Sequence, residues 1–108
     1  VDRTGRFNLT KVWHGDLVAE GTGVMLSAGD PATGRAGYVA LESVEGTLHG
    51  RAGGFCFVQL GLMAGEEPTL TYAVVPGSGH GDLAGITGEL RLDVDESGAH
   101  RYSLSYDL

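Results

Sequence analysis

A carboxylate among apolar neighbours is the first feature with chemical potential. In the stretch 38–44, Tyr38, Ala40, Glu42 and Val44 alternate with Val39, Leu41 and Ser43, so both faces of an extended segment are largely apolar and Glu42 falls inside one of them. Two further polar residues share faces with hydrophobes. Gln59 interrupts Phe55, Phe57, Gly61 and Met63, and Tyr72 stands between Leu70 and Val74. An apolar interior favours the neutral form of a carboxyl group, the setting in which a general acid or base operates at neutral pH. Glu42 is therefore the candidate catalytic residue. Tyr38, Phe57, Met63 and Tyr72 are candidate walls of a ligand site, with Glu42 and Gln59 as its polar anchors. The competing reading has Glu42 facing solvent or hydrogen-bonded to a tyrosine or glutamine.

Other constellations are weaker. The glycine-rich run 76–81, with Ser78 and His80, lacks the lysine and the helix that phosphate-cradling loops need, and reads as an inter-strand connection. Ser78 lacks the full nucleophile-elbow pattern. His14, His49, His80 and His100 share no metal-ligand spacing, so no metal is expected; His80 and Asp82 are close enough in sequence to approach each other. Cys56, between Phe55 and Phe57, reads as a buried, inert thiol.

The elements that carry these residues are strands. Apolar residues recur with period two, most cleanly over Leu90, Leu92 and Val94 and over Tyr102, Leu104, Tyr106 and Leu108. Strands are expected over 6–12, 16–27, 38–48, from about 53 to 64, over 69–75, and in the last two segments. Turns are expected at His14-Gly15, His49-Gly50, 65–68 and 95–98. Longer loops are expected over 28–35 and 77–88. Seven strands with short connections form an all-β, antiparallel up-and-down meander, and closure into a barrel removes its exposed edges. Glycines within 16–27 permit the sharp coiling that closure requires.

Composition bounds the function. A chain of 108 residues is one domain, 1–108, with room for a single modest core. Its nineteen glycines far exceed the usual share of about 7% and lack a collagen period, so they mark turns and close backbone approaches. A net charge of −7 disfavours nucleic acid and anionic membranes as partners. The longest apolar stretch, 55–64, is much shorter than the ~20 residues that span a bilayer. One cysteine and no visible signal peptide point to the cytoplasm.

The runs GYVALESVEGTLHGR at 37–51 and VVPGSGHGDLAGITG at 74–88 resemble the bacterial domain-of-unknown-function family 3224. Thr10-Lys11, Gly15-Asp16-Leu17 and the segment 100–106 resemble it too. The resemblance implies an allene-oxide-cyclase-like, calycin-type barrel of about eight strands around a small apolar cavity, relatives of which isomerise or cyclise hydrophobic substrates without a cofactor. It assigns no catalytic residues. Longer members begin with an extra strand ahead of the segment matched by 6–17, so closure here would draw on further residues or a neighbouring chain. Members often carry a histidine after the glutamine, where this chain has Gln59-Leu60.

Together these observations predict a small β-barrel that binds a small apolar molecule, with cofactor-independent cyclase- or isomerase-like chemistry. The alternatives are a non-catalytic ligand carrier or sensor, and a structural domain whose exposed edge serves homo-oligomerisation.

Overall fold

The computed structural model describes residues 4–65, 68–94 and 100–108. The expected turn at 95–98, and Glu66 and Glu67 of the expected turn at 65–68, lie outside the described residues. So does the side chain of His100.

The chain is all-β. Eight antiparallel strands, β1 (Thr4–Trp13), β2 (Leu17–Asp30), β3 (Arg35–Leu48), β4 (Arg51–Ala64), β5 (Thr69–Val74), β6 (His80–Gly81), β7 (Thr87–Val94) and β8 (His100–Asp107), form one sheet. The order is β1-β2-β3-β4-β5-β7-β8, with the two-residue β6 paired to β4. Apart from the short β6, strands that follow one another in sequence are neighbours in the sheet, the up-and-down meander that alternation predicts.

Two loop expectations need correction. The 28–35 connection shrinks to a single 3-10 turn, Pro31–Thr33, because β2 and β3 stay paired out to Asp30 and Arg35. Asp30 caps the turn by accepting from the Ala32 N–H at 3.0 Å, and Gly34 closes it with φ 77°. Residues 77–88 are no open loop either. They contain β6, and they fold Leu83 and Ile86 fully into the core. Ser78 secures this segment by accepting from the Cys56 N–H at 2.9 Å and donating to the Val75 carbonyl at 2.7 Å. At the β3–β4 turn, His49 (φ 48°) and Gly50 (φ 79°) both adopt positive φ, as a two-residue type I′ hairpin demands.

The inner face holds the core. Leu17 and Ala19 of β2, Val44 and Leu48 of β3, Phe55 and Phe57 of β4, Tyr72 and Val74 of β5 and Leu90 of β7 pack there with Trp13, Leu83 and Ile86. Phe57 meets Phe55 and Tyr72 edge-on, each at 4.9 Å between ring centres. Because Phe55 and Phe57 point inward, Cys56 points outward and is partly exposed, which corrects the buried-thiol reading.

The sheet rolls until its two ends meet through side chains. Tyr102 of β8 packs edge-on against Trp13 of β1 at 5.2 Å, accepts from the Leu17 N–H at 3.1 Å and donates to the His14 carbonyl. Among the described residues no backbone ladder joins β1 to β8. Tyr102 thus latches β8 to the β1–β2 turn. Tyr102→Phe removes the hydroxyl and leaves Leu17 N–H short of its partner. We expect a loss of about 1–2 kcal/mol in unfolding free energy, measured by urea titration.

Candidate functional site

Two glycines make room for the site. On β2, Gly21 and Gly23 face inward between β1 and β3, leaving a trough across the strand. A Cβ at Gly23 would come within 2.0 Å of the Leu41 carbonyl oxygen, so the backbones approach closely there. The Glu42 side chain fills the trough. A Cβ at Gly21 would stand 2.0 Å from Glu42 Oε2. Glu42 thereby reaches across β2 to side chains on β1.

There the carboxylate, fully buried, collects donors from both sides. Trp13 Nε1 donates to Oε2 at 2.8 Å, and the Tyr72 hydroxyl donates to Oε1 at 3.1 Å. Lys11 Nζ lies 3.7 Å from Oε1 and donates to the Tyr72 hydroxyl at 3.2 Å. The same ammonium sits 5.0 Å from the Trp13 ring centre and 5.5 Å from that of Tyr72, within cation–π range. Taking a carboxylate out of water is costly unless charge and hydrogen bonds compensate it, and here both do. Among the described residues every fully buried side-chain nitrogen or oxygen has a partner.

Lys11, Tyr72 and Glu42 thus form a directed chain: ammonium to phenol to carboxylate. Lys11 is its part-exposed end and Glu42 its sealed end. Burial, then the Glu42 charge and the hydrogen bond to it, push the Tyr72 hydroxyl well above the ordinary tyrosine value; burial also raises Tyr38. Tyr72 therefore holds its proton at neutral pH and acts as a donor. A phenol held neutral in the fold but free to ionise when unfolded stabilises the protein below the ordinary tyrosine pKa of about 10. That stability is lost as pH rises further. Unfolding free energy should fall with pH above about 10, and the fall should be shallower in Tyr72→Phe.

Beside Tyr72 the sheet parts. β5 and β7 pair only at Ala73–Glu89, and beyond that point they diverge into a cleft of about 580 Å³. Leu70, Tyr72, Ala73, Leu90 and Leu92 line it together with Thr71, Glu89, Arg91, Ser103 and Ser105, so its lining mixes apolar side chains with a larger polar surface. A second, apolar groove of about 290 Å³ lies at the far end of the sheet, against Leu26, Tyr38, Val39, Leu60 and Leu62.

The sequence candidates divide accordingly. Glu42 and Tyr72 come together, and Phe57 packs on the Tyr72 ring. Gln59 stands opposite Tyr72 in the β4–β5 register and accepts from the Tyr38 hydroxyl at 3.2 Å. Tyr38 lies over Gly61 and lines the far groove. Met63 sits farther along β4, opposite Ala36 and half-buried. Lys11, Trp13 and Gly21 escaped sequence reasoning. Trp13 and Lys11 share the inward phase of β1, but only the fold shows that a glycine trough separates them from Glu42.

Two of the histidines are engaged elsewhere. His80 Nε2 lies 2.5 Å from Glu45 Oε1, so its partner is Glu45 and not Asp82. His49 stacks on Tyr106 and lies 3.4 Å from Asp16. Among the described residues no group of three or more histidine, cysteine or acidic side chains could hold a metal ion, and no helix is long and apolar enough to cross a membrane.

The fold and site can be set beside known proteins. No curated protein matches this chain. Among solved structures, it is similar to the crystal structure of a protein of unknown function from the DUF3224 family of Shewanella oneidensis MR-1. The TM-score is 0.89 and the identity 40%, over 96% of this chain and 77% of that one. The model of the family described as proteins of unknown function, DUF3224, matches residues 2–106, and this chain belongs to that family.

Proposed function

We propose that the chain binds a small, mainly apolar molecule carrying one oxygen-bearing polar group, in the cleft between β5 and β7. The observation that carries this reading is that the cleft opens onto Tyr72, whose hydroxyl is held between Lys11 and the buried Glu42. Leucines at 70, 90 and 92 offer apolar contacts, and Thr71, Arg91, Ser103 and Ser105 of the same lining are donors suited to a carbonyl or carboxylate oxygen. In this reading Glu42 does not touch the ligand. It is a positioning residue that orients Tyr72, while Phe57 and Gln59 support the ring from β4.

The relay also supports a second reading, cofactor-independent isomerase-like chemistry, in which Tyr72 passes a proton to one atom of the bound molecule, the Lys11 ammonium restores it to Tyr72, and the neutral Lys11 amine is reprotonated by the proton that a second atom of the molecule gives up. The resemblance to cyclase-like barrels points the same way.

Trp13, the single tryptophan, reports on the site directly, since its indole binds Glu42 and its ring lies 6.3 Å from Tyr72. Titrating the protein with decanoate and with 1-naphthol should change its emission saturably. Tyr72→Phe, which removes the hydroxyl that holds Lys11 and Glu42 beside the cleft, should weaken binding about 10-fold while keeping the site. Equal affinity in wild type and Tyr72→Phe would overturn the placement at this cleft.

A further inference from the structure

We infer that the outer face of β2, β3 and β4 is a homodimer interface, occupied by the same face of a second copy. Six large apolar side chains stand there in adjacent rows: Leu26, Val39 and Leu60 in one, Leu41 and Val58 in the next, and Leu62 beyond. Each is between 38% and 58% exposed. Val24, opposite Leu41, completes the second row. Strand alternation puts these residues outward because their neighbours fill the core, and the central strands of the sheet offer no backbone edge to explain them. Together they expose on the order of 400–500 Å² of apolar surface, the size at which a patch on a small protein is often functional. A standard interface covers about 800 Å² per partner, with an apolar centre and polar rim. Thr22, Ser43, Asn8 and Arg6 flank the patch in register and supply that rim.

Charge selects the occupant and its orientation. Along the outer face of β3, Arg35 precedes Val39 and Leu41 by the same spacing at which Glu45 follows them; the midpoint is residue 40. A two-fold axis crossing the strands at that point lays Val39 on the partner's Leu41 and brings each Arg35 to the partner's Glu45. The two rows of three apolar residues then exchange places and pack on each other. An axis along the strands would instead set Glu45 against Glu45. Glu45 also faces Glu20 across β2, a like-charge pair that an incoming arginine relieves; His80 contacts only the Glu45 side of it. Arg35 has Asp30 as its cross-strand neighbour, and that carboxylate is already hydrogen-bonded to Ala32. Such an isologous contact closes on itself as a dimer.

This inference stands apart from the ligand cleft and does not rest on it. Sedimentation equilibrium on the whole chain from 1 to 500 μM tests it. A monomer–dimer equilibrium is expected. Leu41→Glu should raise the dimer dissociation constant at least about 30-fold, with Trp13 emission unchanged as the control for folding. Leu60→Glu repeats the test at a second position. Arg35→Glu should also weaken the dimer, and Arg35→Glu with Glu45→Arg should restore it. A wild-type chain that stays monomeric to 500 μM overturns the inference. So does a dimer indifferent to Leu41→Glu and Leu60→Glu, which would place self-association at the β1 or β8 edge. Binding of the monomer to neutral lipid vesicles through this face would overturn it in favour of a membrane occupant.

Discussion

Glu42→Ala should lower the unfolding free energy by about 3–5 kcal/mol, the largest effect of any single substitution at the site. The carboxylate is fully buried and receives hydrogen bonds from Trp13 Nε1 and the Tyr72 hydroxyl. Removing it strands two buried donors at about 1–3 kcal/mol each and opens a void in the glycine trough. It also leaves Lys11 without its counter-charge; because Lys11 is 40% exposed, that contribution is small. Glu42→Leu fills the void without satisfying the donors and should fall between Ala and wild type. Glu42→Gln keeps the shape and one acceptor, and should cost least of the three. Chemical denaturation with far-UV circular dichroism measures all three, and a cost below about 1 kcal/mol for Ala would mean that the buried network contributes little.

Gly21→Ala should cost about 2–3 kcal/mol, although it adds only one methyl group. Its Cβ would lie 2.0 Å from Glu42 Oε2, and the carboxylate is fixed by Trp13 and Tyr72 and has nowhere to retreat. The strain should surface in the network: Trp13 loses its hydrogen bond to Glu42, and its emission shifts to the red as water reaches the indole. The double variant Gly21→Ala with Glu42→Ala tests the mechanism. If the methyl clashes only with Glu42, the two costs are less than additive, because either change alone empties or fills the same trough. Full additivity would place the strain in the β2 backbone instead. By contrast, Gly61→Ala meets the Tyr38 ring, which is only part-buried and can swing aside, so a smaller cost is expected.

Much of this architecture is legible in the sequence, for a physical reason. Strand phase is local: Leu90-x-Leu92 and Tyr102-x-Leu104-x-Tyr106 each declare their inward face within a few residues. Turn chemistry is equally local, as His49-Gly50 shows. What fails is whatever depends on partners distant in sequence. The 28–35 stretch looks like a loop because it holds Gly, Asp and Pro, yet pairing of β2 with β3 carries both strands to the 3-10 turn itself. The 77–88 stretch looks like a glycine-rich loop, yet Leu83 and Ile86 anchor it in the core from opposite sides of a turn.

The site divides along the same line. Glu42 and Tyr72 stand out as polar residues in apolar phases, a signal readable from one strand at a time. Their donors do not. Trp13 and Lys11 are 29 and 31 residues before Glu42, and they reach it only because Gly21 and Gly23 remove the side chains of the strand between. The carboxylate expected among hydrophobes is fully buried and accepts from two donors, Trp13 Nε1 and the Tyr72 hydroxyl.

A two-dimensional amide NMR titration of the whole chain with decanoate locates the ligand residue by residue. Saturable shifts should cluster on Leu70–Ala73 and Glu89–Leu92, together with the Trp13 indole N–H that donates to Glu42. Saturable shifts confined to the outer face of β2–β4, or none up to the solubility limit of the probe, would contradict a ligand site at Tyr72.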